Sequence, residues 1–134
     1  MKIPEELKDF RNFVYIVWEH LGLPEPTPVQ YDIAQYLQHG ERRQIVLAYR
    51  GVGKSYLTSA YVVWQLLLNP ALNILVVSAS KNRADDFSTF TQRLINEMPI
   101  LAHLKAKPDQ RDSKIAFDVA PAPAAHAPSV KSVG

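Results

Sequence analysis

The chain contains no cysteine, which excludes disulfide bridges and thiolate metal sites. It also lacks a long apolar run. The longest, 60–68, is interrupted by Gln65 and closed by Asn69-Pro70, well short of the roughly 20 residues a membrane span needs. The first ten residues, "MKIPEELKDF", place charges where a secretion signal carries its apolar stretch. A strong charge of either sign is missing too: 15 basic and 13 acidic residues leave a net charge of +2. That balance does not by itself point to nucleic acid. These absences predict a soluble cytoplasmic protein with no membrane partner. Glycine is scarce, at five in 134 residues, and two of the five stand almost side by side, Gly51 and Gly53.

A length of 134 residues with 47% hydrophobic content allows one domain with a real core. Leu7, Phe10, Val14, Val17, Trp18 and Leu21 recur at helical spacing before Gly22, which predicts an amphipathic helix over 5–21. "PEPTP" (24–28) reads as a stiff connector. Thr27 is placed to cap a second helix with Pro28 in its first position, Val29, Ile33, Tyr36 and Leu37 on its apolar side, and Gly40 at its end. "QIVLAY" (44–49) reads as a buried strand, and a helix is predicted from Lys54 to about Leu68. "NILVVSAS" (73–80) reads as a second buried strand, 81–97 as a helix beginning near Ser80, and "KIAFDV" (114–119) as an alternating strand. The closing stretch, "APAPAAHAPSVKSVG", has no periodicity. Strand, loop, helix, strand, helix, strand predicts an α/β fold with a mostly parallel sheet flanked by helices.

The chemistry concentrates in "AYRGVGKSY" (48–56). A phosphate loop follows G-x-x-x-x-G-K-[ST], and Ala48, Tyr49, Arg50, Gly51, Val52, Gly53, Lys54 and Ser55 satisfy seven of its eight positions. The departure is Ala48, a small residue where the chain only has to leave the strand. The physics explains the pattern. Free backbone N–H groups and the helix dipole attract anions to a helix start. Gly51 and Gly53 let the backbone curl closely around phosphates. Lys54 supplies a point charge to the β- and γ-phosphates, and the Ser55 hydroxyl suits Mg²⁺. The bland alternative is a glycine turn with an exposed lysine. For Arg50 two readings stand: a cation that stabilises charge developing on the γ-phosphate, or a surface arginine paired with an acid.

Five segments in register, "TPVQYDIAQYLQHG", "VLAYRGVGKSYLTSAYVVWQLLLNP", "NILVVSASKNRADDFS", "KPDQRDSKIAFDV" and "HAPSVKSVG", resemble the N-terminal part of the large terminase subunit (DNA maturase B) of T7-like bacteriophages. That family is an ATP-driven motor packaging viral DNA into a preformed capsid, with an ATPase domain followed by a nuclease domain. The resemblance implies a P-loop NTPase fold of the ASCE/RecA-like type, with 1–40 as a helical lead-in and 41–134 as the first part of the ATPase core. It puts Gly51, Gly53, Lys54 and Ser55 on the Walker A loop, favours a catalytic Arg50 beside Lys54, and places Gln30 on an adenine-recognising glutamine, whose amide suits the Hoogsteen edge. Ser80, Lys81 and Arg83 become candidate DNA-phosphate contacts, against the plainer reading of a capped helix with a solvated first turn. ATP and Mg²⁺ are the implied cofactors. The implied partners are double-stranded DNA, the portal protein and the small terminase subunit, in a ring oligomer within the host cytoplasm.

A motor of this kind also needs a Walker B acid followed by a catalytic glutamate. Asp118, closing "KIAFDV", is a poor candidate because Val119 follows it, and no nuclease carboxylate cluster comes after. The fold is therefore expected to be incomplete. The chain is expected to bind ATP but hydrolyse it weakly or not at all, and to associate or be marginally stable through an uncovered sheet. Two alternatives stand beside this reading: a non-catalytic interaction module that binds terminase or portal partners, and an unrelated helicase-like ATPase.

Overall fold

Leu7, Phe10, Val14, Val17 and Trp18 turn inward together, as their spacing requires, but through two elements rather than one. A 3-10 turn at Glu5–Lys8 leads into helix α1, Phe10–His20. The break falls at Asp9, whose carboxylate accepts from the Arg11 N–H and caps α1. Gly22, at φ +72°, closes it in a conformation that side chains disfavour. The computed structural model describes residues 3–48 and 51–134. The chain forms two compact units, Met1–Trp64 and Gln65–Gly134.

In the first unit, Thr27 caps helix α2, Pro28–His39, with Pro28 in its first turn. Only Ala34 of α2 is fully buried. Val29 and Tyr36, expected on its apolar side, are 44% and 41% exposed. The Gln38 side chain ties α2 to the start of α1, accepting from the Phe10 N–H and donating to the Lys8 carbonyl, both at 2.9 Å. Helix α3, Lys54–Leu68, brings Tyr61 and Trp64 against Phe10, with ring centroids 5.3 and 5.1 Å away. The Trp64 indole N–H donates to the Leu7 carbonyl at 2.7 Å, satisfying the one polar atom of a buried ring. Phe10 has no solvent exposure. Truncating it to alanine would cost about 3–5 kcal/mol.

The second unit holds strand β1, Ile74–Val77, helix α4, Lys81–Glu97, a 3-10 turn at Pro99–Leu104, and strands β2, Ala116–Phe117, and β3, Val130–Val133. The strand order is β1-β3-β2. β1 pairs with β3 in parallel and β2 with β3 antiparallel. Pairing sets the alternation: Phe117, Val130 and Ser132 are buried, and so are Ala84, Ser88, Thr91, Leu94 and Ile95 of α4. The opposite sheet face stays open, with Leu75 62% and Val77 71% exposed.

The second strand, expected buried over 73–80, is confined to Ile74–Val77 with Leu75 and Val77 exposed, and three further sequence expectations differ from the structure. Residues 44–48 form no strand, and Ile45 and Leu47 are 80% and 92% exposed rather than buried. β-branched residues favour extension, but a strand also needs a neighbour for its backbone hydrogen bonds, and none is present among the described residues. Tyr49 lies outside them. "KIAFDV" yields only the two residues of β2, because Ser113 folds 113–116 into a turn, its N–H and hydroxyl both donating to the Ala116 carbonyl. The proline- and alanine-rich close, expected to be irregular, ends in β3. A mixed α/β fold is therefore present, but with one parallel and one antiparallel pairing among the described strands.

Candidate functional site

Gly51, Val52 and Gly53 lead into α3, whose first two residues are Lys54 and Ser55. Gly51 and Gly53 adopt φ +91° and +89°, the region that a side chain makes costly. Between them Val52 is 2% exposed, so the loop is anchored by one apolar side chain flanked by two left-handed glycines. The Lys54 ammonium donates to the Ala48 carbonyl at 3.1 Å. Ser55 follows it, exposed. A backbone curled in this way at the start of a 15-residue helix, with an ammonium at its mouth, has the donors and charge to take a polyanion. Arg50 and Tyr49, named from sequence, lie outside the described residues.

Gln30 sits behind this loop. Its amide N–H donates to the Val52 carbonyl at 2.8 Å. Its amide oxygen accepts from the Trp18 indole at 3.2 Å and from the Thr27 N–H at 3.0 Å. Thr27 returns a bond through its hydroxyl, which accepts from the Gln30 N–H, completing a capping box. Trp18 is 3% exposed, and its ring meets Tyr56 of α3 edge-on at 6.3 Å. Sequence reasoning singled out Gln30 and Thr27 separately and left Trp18 in the core. The Thr-x-x-Gln spacing was the signal that the first two act together.

Ser80, Lys81 and Arg83 stand at the start of α4. The Ser80 hydroxyl accepts from the Arg83 N–H at 3.2 Å, so it is engaged as the helix cap. Lys81 and Arg83 are exposed, and so is Asp86 nearby. Asp118 is held as a structural carboxylate. Arg111 bonds it through Nε and the backbone N–H, and the Ser129 N–H donates to its other oxygen at 3.2 Å. The same guanidinium donates to the carbonyls of Ala125, His126 and Ala127. Nothing in the sequence pattern singled out Arg111. In the same unit, burial lowers the pKa of His103 below its ordinary 6.5. No group of three or more metal-ligating side chains occurs among the described residues. No described helix is long and apolar enough to cross a membrane.

No protein-family model matches the chain. The large terminase subunit of Enterobacteria phage T3 is 51% identical to it over 127 residues, which cover 94% of this chain and 22% of that protein. The chain thus spans about a fifth of the length of the relative it matches. The match runs over nearly the whole chain. The chain is therefore a homologue of a segment of the large terminase subunit of T7-like phages, the family that its five sequence segments resemble.

Proposed function

We propose that this chain carries the nucleotide-phosphate site of a phage DNA-packaging terminase. The supporting observation is the loop itself: two glycines at φ +91° and +89° around a buried valine, with Lys54 at the helix start. In this reading the loop N–H groups and Lys54 hold the triphosphate of ATP, and the Ser55 hydroxyl ligates Mg²⁺. Arg50 is proposed to stabilise charge on the γ-phosphate. The adenine role implied for Gln30 requires its amide to release Val52, Trp18 or Thr27. Lys81 and Arg83 are proposed to meet DNA phosphate, with Ser80 serving first as a cap. Double-stranded DNA, portal, small subunit and a ring of copies are the partners proposed for the whole motor, in the host cytoplasm.

The test is binding of a fluorescent ATP analogue. Lys54→Ala should abolish it while leaving the melting curve in place, because the lysine is exposed and, among the described residues, its ammonium bonds to the Ala48 carbonyl. Undiminished binding by that variant would sink the assignment. A second reading, a non-catalytic interaction module, draws on the open apolar sheet face at Leu75 and Val77. Measurable ATP turnover by the 134-residue chain would argue against it.

A further inference from the structure

A backbone loop that cradles an anion must turn its N–H groups toward the ligand. Its carbonyls then turn away and need donors of their own. Val52 is the acute case. Its side chain is buried, and the two positive-φ glycines on either side leave it outside any regular ladder. The donor it finds is the Gln30 amide, 2.8 Å from its carbonyl. In a planar trans peptide the carbonyl and the following N–H point in opposite directions. Fixing the Val52 carbonyl on the Gln30 side therefore turns the Gly53 N–H to the other side.

The Gln30 amide is itself held from three directions. The Trp18 indole and the Thr27 N–H fix its oxygen, which dictates that its nitrogen faces the loop. A Cβ added at Gly53 would come within 3.2 Å of that nitrogen, so the loop and the amide are in close contact. An amide locked in this way acts on the backbone that binds phosphates, whatever base the nucleotide carries.

We propose that Gln30 is a positioning residue of the phosphate loop, setting the Val52–Gly53 peptide through its amide N–H and acting independently of the nucleobase. This rests on the reading of the loop as a triphosphate site. Gln30→Glu keeps the size and the acceptor for Trp18 and Thr27 but presents an oxygen to the Val52 carbonyl. Binding of inorganic tripolyphosphate, ATP and GTP is measured by calorimetry for the wild type and this variant, with melting curves for both. The expected result is a loss of roughly tenfold or more, equal for all three ligands, in a variant that still melts cooperatively. Loss confined to ATP, with tripolyphosphate unaffected, overturns the proposal and makes Gln30 a reader of adenine. If the wild type binds none of the three, the triphosphate reading fails and this role falls with it. Should Gln30→Glu not fold, the wild type answers by NMR. The Gln30 side-chain amide protons should stay slow to exchange when tripolyphosphate or ATP is added, and their release by ATP overturns the proposal.

Discussion

Arg111 lies across Asp118, its Nε 3.3 Å from the carboxylate Oδ2, and the same guanidinium reaches the carbonyls of Ala125, His126 and Ala127. One side chain thus joins the end of β2 to the irregular chain that leads into β3. Asp118 is 14% exposed, and this guanidinium is its ion-pair partner. Arg111→Ala should destabilise the chain by about 1–3 kcal/mol, since it strands a part-buried carboxylate, while the three exposed carbonyls pass to water. Urea unfolding followed by circular dichroism measures it. An unchanged midpoint would show that the clasp is incidental.

The two loop glycines should respond differently to alanine. Both have φ near +90°, so each substitution costs about 1–2 kcal/mol of backbone strain. At Gly51 a new methyl meets none of the described residues within 4 Å, whereas at Gly53 it presses on the Gln30 amide at 3.2 Å. Gly53→Ala is expected to be the more damaging to both thermal stability and triphosphate affinity. Equal effects would place the whole cost in the backbone.

Ser80 is a helix cap first. Ser80→Ala should cost about 1 kcal/mol, and Ser80→Asp should restore most of it by accepting the same Arg83 N–H. Thermal melts of the two variants decide this. If both melt with the wild type, the cap contributes nothing and only the proposed DNA contact is left for Ser80.

Burial lowers the pKa of His103 below its ordinary 6.5. A depressed folded-state pKa contributes stability that is fully present above 6.5 and is lost as pH falls through the lower, folded value. The melting temperature should therefore drop as pH is lowered through that window. His103→Gln, which cannot take up a proton, should flatten that part of the profile. A variant with the wild-type slope would assign the pH dependence to other groups.

The bare sheet face carries Leu75 and Val77, with Lys131 beside Leu75 in register. Large exposed apolar groups on an open sheet favour association. Leu75→Lys with Val77→Lys should lower the apparent mass in sedimentation at high concentration and leave the melting temperature nearly unchanged. Self-association that persists would locate the contact elsewhere.

Helices were the legible part of this fold. Ser80, Thr27 and Gly22 marked their ends because capping is local chemistry, carried by residues a few positions apart. Strands were not legible in the same way. Ile45 and Leu47 have strand-like side chains but no ladder, while Val130 and Val133 look irregular and form one, because pairing is decided by a distant neighbour. The glycine loop was readable residue by residue. The bond from Gln30 to Val52 spans 22 positions, and nothing in the composition around either residue announces it.

The Arg111 clasp grips main-chain oxygens and ignores the side chains that bear them. Residues 125–127 can therefore accept a wide range of substitutions, provided the backbone path is kept, while position 111 cannot. A tract that looks like filler, built of alanine and proline, is free to drift because its placement has been delegated to one arginine fourteen to sixteen residues upstream.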